Sequence, residues 1–182
     1  MDTSGKEAPE VTSSEDVYQG RVITVTIDRV REGGAEYERE IVRHPGSGTV
    51  VPAFDDGTIG LVRQYRHPAV KYLLEIPAGS RDPFESPEEC ARRELEEELG
   101  VVAGRMELLT EFFVSPGFCA EKMWVYLATD LTETQASPED DEHLEIVRLP
   151  LARALEMIAT GEIEDAKTII GLTLAAQRLQ RP

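Results

Sequence analysis

The sequence predicts an α/β fold of the α+β kind, a mixed-sheet sandwich with helices on its faces, preceded by a small antiparallel β-region. Three observations carry this expectation. Strand-like runs stand before, between and after helix-like runs, which disfavours a doubly wound parallel sheet. One helical segment is marked by caps at both ends. And 182 residues, 41% of them hydrophobic, suffice for one ordinary core.

Taken in order, residues 1–15 are polar, aperiodic and net negative, and read as a mobile tail. Residues 16–44 read as the N-terminal β-region: Val22, Ile23, Val25 and Ile27 mark a strand over Val17–Ile27, Gly33 and Gly34 a turn, and Tyr37–Arg43 its partner. Residues 45–182 read as the main domain. Thr49–Phe54, the Asp55-Asp56-Gly57 turn and Ile59–Tyr65 form a hairpin pattern, and Tyr72–Ile76, Met106–Val114, Lys122–Leu127 and Leu144–Leu149 add strands. Pro87–Leu99 is the best-marked helix: Ser86 and Glu89 make a capping box, Pro87 occupies the first helical position and Gly100 follows the end. Leu151, Ala154, Leu155 and Ile158, and then Ile169, Leu172, Ala176 and Leu179, repeat at helical spacing and predict two C-terminal helices.

Charge and composition exclude several classes of partner. The formal net charge of −16 and pI near 4.6 are the reverse of a nucleic-acid-binding footprint. No apolar run approaches membrane-spanning length, and the opening MDTSGKEAPEVTSSED lacks the basic-then-apolar pattern of a signal peptide, so a cytoplasmic protein without a membrane partner is expected. Cys90 and Cys119 are too few for a disulfide framework and read as reduced, packed thiols.

The capped helix carries the candidate chemistry. At about 100° per residue, Glu94, Glu97 and Glu98 share one arc while Glu96 points nearly the other way, and Ala91, Leu95 and Leu99 form an adjacent apolar stripe. Three close carboxylates repel one another, so either water screens them or a divalent cation holds them, and an oxygen-only ligand set selects Mg²⁺ or Mn²⁺. Around them Gly79, Glu85, Arg93, Glu94, Leu95, Glu97, Glu98, Gly100 and Val101 stand in the order G-x5-E-x7-R-E-apolar-x-E-E-x-G-apolar. This resembles the signature of Nudix hydrolases at every specified position. The resemblance implies a Nudix-type α/β/α sandwich that cleaves nucleoside diphosphates linked to another moiety, with Glu94 and Glu98 on the metal directly, Glu97 directly or through water, and the Ala78 carbonyl adding an oxygen. Gly79 would permit a tight turn, and Glu85 with Arg93 would brace the loop against the helix by a bidentate pair.

Residues outside the signature bear on the substrate. Arg63-Gln64-Tyr65-Arg66, Glu75-Ile76-Pro77-Ala78-Gly79 and Ser115-Pro116-Gly117-Phe118, with Pro116 15 residues after Val101, together resemble the ADP-ribose pyrophosphatase branch. That implies release of AMP and ribose 5-phosphate, a homodimer formed through the N-terminal β-region, and substrate contacts from Glu75, Pro116 and Gly117. Arg43, Arg63, Arg66 and Arg81 are the guanidinium candidates for a diphosphate, Arg66 foremost; Tyr18, Tyr37 and Phe118 are candidate base stackers or core aromatics. In similar pyrophosphatases an acid of the loop corresponding to Glu139-Asp140-Asp141-Glu142 activates water. Glu142 is the nearest match, with Asp141, Glu145 and Glu97 as alternatives. The rival readings are the same chemistry on another nucleoside diphosphate sugar, of GDP-mannose or UDP-glucose type, and a catalytically silent nucleotide-sensing module.

Overall fold

The computed structural model describes residues 7–137 and 143–180. They form two compact units, the first comprising residues up to Pro45 together with Phe113–Glu121, the second Gly46–Phe112 and Lys122 onward.

In the first unit β1 (Glu10–Gln19), β2 (Thr24–Glu32) and β3 (Ala35–Arg43) make an antiparallel sheet in the order β1-β2-β3. Gly33 and Gly34, both at positive φ, turn the chain between β2 and β3 as expected. Two expectations are corrected. Residues 10–15 are not tail but the first six of the ten residues of β1, paired from Glu10↔Arg31 to Glu15↔Ile27. The strand betrays no periodicity in sequence because every residue of β1 is exposed, so nothing selects alternate apolar positions. The run Val17–Ile27 is likewise two strand ends separated by a turn, which the Gly20 N–H closes on the Ile23 carbonyl at 2.8 Å. The segment Phe113–Glu121 joins this unit through β3: the Val42 N–H donates to the Phe118 carbonyl, and the Val42 carbonyl accepts from Ala120.

The second unit has two sheets. β5 (Thr58–Arg66) lies between β10 (Glu145–Pro150) and β6 (Lys71–Glu75); the other runs β7 (Ala78–Ser80), β4 (Ser47–Pro52), β9 (Lys122–Glu133), β8 (Val101–Phe113). β4 and β9 are parallel while β4 and β7 are antiparallel, so the sheet is mixed as expected. The anticipated hairpin of Thr49–Phe54 with Ile59–Tyr65 is corrected. Only Ala53 and Ile59 bridge, since β4 spends its edges on β7 and β9 and β5 spends its own on β6 and β10.

Strand alternation builds the layers. Val50, Val62, Tyr126 and Ala128 pack with Ala91, Leu95 and Leu99 of α1 (Pro87–Leu99); Val51, Leu61, Val125 and Leu127 pack with Ala154 of α2 (Leu151–Thr160) and Leu172 and Ala175 of α3 (Ala166–Leu179). Adjacent residues of one strand thus serve opposite helical layers, which is why β4 is buried at every residue and shows no in–out alternation. Each fully buried aliphatic contributes about 1.5–3 kcal/mol. α1 lies hard on β4 at Gly48, where a Cβ would come within 2.7 Å of the Ala91 nitrogen and the Pro87 carbonyl. Among the described residues no helix is long and apolar enough to cross a membrane.

The limits of β1 are testable by truncation. Removing residues 1–9 should leave the melting temperature unchanged, whereas removing 1–19 strips β2 of its partner and of the Ser14 hydroxyl that donates to Asp28 at 2.6 Å. A loss of about 2 kcal/mol there would lower Tm by roughly 4–8 °C. Hydrogen exchange should accelerate in β2 for the longer deletion only; equal exchange in both truncations contradicts the assignment.

Candidate active site

The site is built on α1 and the loop before it. The Ser86 hydroxyl accepts from the Glu89 N–H while the Glu89 carboxylate accepts from the Ser86 N–H, so both ends of the capping box are made. Gly100, at φ 63°, closes the other end by donating to the Glu96 carbonyl. Between these caps the apolar stripe fixes the helix rotation. Leu95 and Leu99 face the core, Glu94 and Glu98 are buried beside them, Glu97 is a third exposed and Glu96 faces solvent. The predicted arc of three glutamates is therefore the arc the helix presents.

Gly79 has a different role from the one expected. It lies in β7, paired with Gly48 of β4, and is no turn. Its need for hydrogen in place of a side chain is set by Glu94: a Cβ would sit 1.8 Å from Glu94 Oε1. The carboxylate rests directly on the β7 backbone, next to Ala78.

Arg93 organises the acids. Its Nε and Nη2 take the two Glu85 oxygens at 2.9 and 3.1 Å, Nη2 also donates to the Ser80 carbonyl, and Nη1 donates to Glu94 Oε1 at 2.6 Å and Glu97 Oε2 at 2.9 Å. The expected Glu85–Arg93 brace is present. Its hydrogen bond from Arg93 holds the Glu85 carboxyl below the ordinary carboxylate range, and the same bond raises the Arg93 guanidinium further above its already high value. Because Arg93 draws two of the three glutamates to itself, no group of three acids among the described residues stands ready converged on a cation. The donors nonetheless fit a hard divalent ion. They are carboxylate oxygens only, they share one helix face, and Gly79 leaves room against Glu94. Glu98 Oε2 is buried and accepts no hydrogen bond from the described residues, while the charge of Arg66 is felt at that carboxylate. Cys90, on the same side of α1, is no ligand. Burial pushes its thiol up to about 12, and its Sγ donates to the Gly79 carbonyl.

A second set of charges joins β5, β6 and α3. Arg66 grips Glu75 with Nε at 2.8 Å and Nη2 at 2.7 Å, and Lys167 of α3 donates to the same carboxylate, which is 1% exposed. Burial alone would raise the Glu75 carboxyl; Arg66 and Lys167 outweigh it and hold it below the usual carboxylate range. Glu75, expected as a substrate contact, is buried and bonded to Arg66 and Lys167.

The remaining candidates divide between the units. Alternation along β5 puts Arg63 and Arg66 on opposite faces, and Arg63 pairs with Glu145 of β10 at 3.3 Å. Arg81 donates to the Glu85 carbonyl at 2.9 Å and lies over the Trp124 ring, bracing the loop. In the first unit Arg43 is bound to the buried Asp28 at 2.6 Å, and the turn containing Pro116 and Gly117 ends at Phe118, bonded to the neighbouring Val42. Tyr18 and Phe118 are exposed and not core; Tyr37 donates to Glu32 and carries Arg39 over its ring. Glu142 and Asp141 lie outside the described residues.

With this geometry in place, the comparison with known families is direct: the sequence profile of the NUDIX domain matches residues 43–170. The chain belongs to the Nudix family. It is 38% identical to an ADP-ribose pyrophosphatase of Bacillus subtilis (strain 168) over 159 residues, 86% of each chain. It is 40% identical to a methanol dehydrogenase activator of Bacillus methanolicus over 172 residues, 92% of this chain and 93% of that one. A crystal structure of an ADP compounds hydrolase superposes with a TM-score of 0.84 at 27% identity, covering 98% of this chain and 97% of the other.

Sequence reasoning missed Lys167 and Asp165 of this Nudix chain. The available signal was Asp165-Ala166-Lys167, a helix cap followed by a lysine in the first turn, where the helix dipole disfavours a cation.

Two predictions follow from the geometry of this Nudix site. Gly79→Ala should displace the Glu94 carboxylate and cut turnover by roughly 100-fold, the scale of a 1 Å misplacement, while circular dichroism stays unchanged; full activity would contradict the contact. Glu75, with its folded-state pKa depressed, stabilises the fold fully above its ordinary value of 4.5 and ceases to do so as pH falls through the lower folded value. Urea unfolding below about pH 4.5 should therefore show a shallower loss of stability with acid in Glu75→Gln than in the unsubstituted protein, and equal slopes would contradict the pairing.

Proposed function

We propose that the chain hydrolyses the diphosphate bridge of ADP-ribose: water attacks one phosphorus, a bridging P–O bond breaks, and AMP and ribose 5-phosphate leave. The observation that carries the reading is the glutamate face of α1 resting on Gly79, within a chain 38% identical to an ADP-ribose pyrophosphatase over most of its length. Glu94, Glu97, Glu98 and the Ala78 carbonyl would hold Mg²⁺, with Mn²⁺ as a substitute. When bound, the ion supplies charge neutralisation on the diphosphate and a lowered pKa for water.

The chain's own groups do the rest. Arg66, anchored by Glu75 and 39% exposed, offers a guanidinium to phosphate oxygens. Glu142 is assigned as the proton acceptor. The alternatives Glu97 and Glu145 each have one carboxylate oxygen engaged by an arginine, Arg93 and Arg63 respectively. Homodimerisation through the first unit belongs to the same reading, supported by an edge strand exposed along all ten residues with Val11, Val17 and Tyr18 among them. So does cytoplasmic residence, supported by two unbridged cysteines. Net charge argues against nucleic-acid substrates.

The test is turnover with Mg²⁺ on ADP-ribose, GDP-mannose and UDP-glucose, with products identified. ADP-ribose should give the highest kcat/KM, with AMP and ribose 5-phosphate as products; preference for GDP-mannose or UDP-glucose would transfer the reading to that sugar, and no turnover on any would favour a sensing module. Glu142→Gln should lose roughly 10²–10⁴-fold in kcat with KM within a few-fold. Retained kcat in that variant together with collapse in Glu145→Gln or Glu97→Gln would move the base to the residue that collapses.

A further inference from the structure

Among the described residues Lys167 is the only buried lysine or arginine. Local structure does not favour it. It is the second residue of α3, at the positive end of the helix dipole, and its ammonium is withdrawn from water. What offsets both costs is a pair of acids: Nζ donates to Glu75 Oε2 and lies 3.1 Å from Asp165 Oδ1. Asp165 is itself committed as the cap of α3, its Oδ2 accepting from the Thr168 N–H at 2.9 Å and hydroxyl at 2.6 Å. Thr168 in turn accepts from the Ile76 N–H, so the first turn of α3 is locked to the end of β6, two residues before Ala78.

The consequence falls on Arg66. Were Glu75 bound to Arg66 alone, the two would form a closed, neutral bidentate pair and the arginine would attract a further anion weakly. Lys167 divides that carboxylate. Arg66 and Lys167 balance the charges of Glu75 and Asp165, and Lys167 is the cation that bridges the two acids. Arg66 uses Nε and Nη2 on Glu75, and Nη1 makes no hydrogen bond among the described residues. The guanidinium is 39% exposed and close enough to Glu98 for the two charges to interact. It is thus hydrogen-bonded to the buried cluster and attracted by the charge of Glu98.

We propose that Lys167 is a positioning residue for the substrate diphosphate: by sharing Glu75 with Arg66 it holds the carboxylate, and through it the Arg66 guanidinium, fixed in orientation. This rests on the reading of Arg66 as a diphosphate contact. A lysine that merely held α3 to β6 would alter stability and would leave the balance between substrate affinity and turnover alone.

Steady-state kinetics with ADP-ribose and Mg²⁺, and calorimetric binding of ADP-ribose in EDTA where no turnover occurs, test it on the full chain. Lys167→Met should raise KM and the EDTA dissociation constant roughly tenfold with kcat within about threefold, and Lys167→Arg should recover most of that affinity. A double-mutant cycle covers the case in which Lys167→Met fails to fold, because Glu75→Gln with Lys167→Met removes both buried charges of the pair. If Lys167 acts through Glu75, adding Lys167→Met to Glu75→Gln changes KM by no more than about twofold. Arg66→Met separates the two readings. Unchanged KM in Arg66→Met sinks Arg66 as a diphosphate contact and this inference with it. A raised KM in Arg66→Met beside unchanged KM in Lys167→Met, or a further tenfold rise in the Glu75→Gln background, overturns the role of Lys167 alone.

Discussion

The structure depends on keeping three like charges together on one face of α1. Two carboxylates about 5 Å apart repel by roughly 3 kcal/mol at an effective dielectric near 20, and Glu94 and Glu98 are largely withdrawn from the water that would screen them. Within the chain the counter-charge for Glu94 and Glu97 comes from Arg93, on the same helix, which also spans the Glu85 brace with one guanidinium, while the charge of Arg66 acts on Glu98. A planar fork with five donors can serve three acids at once, and a lysine could not reproduce that arrangement. The same constraint explains why a hard divalent ion suits the face. It meets oxygen donors whose mutual repulsion it relieves, and Glu97, the most exposed of the three, has the greatest freedom to leave Arg93.

Holding the face in place is a matter of close backbone approach. α1 lies on β4 at Gly48, and the Glu94 carboxylate lies on β7 at Gly79, two glycines paired with each other across the β4–β7 ladder. Both are places where a Cβ would collide with backbone or with the carboxylate itself. The glycine of the signature is accordingly a spacing requirement and not a turn requirement, which also accounts for its ordinary backbone conformation within a strand.

Local signals made α1 and its glutamate arc legible in the sequence: a capping box, a proline at the first position, a terminal glycine and 3.6-residue periodicity all lie within the helix or beside it. The two C-terminal helices and the layered arrangement were legible for the same reason. What the sequence hid has physical causes. β1 shows no pattern because neither of its faces is buried within its unit, and the β4–β5 pairing was misjudged because a tight turn does not reveal which edges its strands will use. Lys167 was invisible because its meaning lies in a contact 92 residues away in sequence, with Glu75, and Arg66 was named without the support that fixes it. Arg63 and Arg66 looked equivalent as a string and are separated by strand alternation.

The central claim is that Glu94 and Glu98, and not the acids of α1 at large, hold a divalent cation. Calorimetric titration of Mn²⁺ into the unsubstituted protein and into Glu94→Gln, Glu98→Gln and Glu96→Gln measures it without reference to any substrate. The account predicts that Glu96→Gln binds as the unsubstituted protein does, while Glu94→Gln and Glu98→Gln each weaken binding by at least about tenfold. Equal affinity in all four proteins would contradict it, as would a loss in Glu96→Gln as large as in the other two.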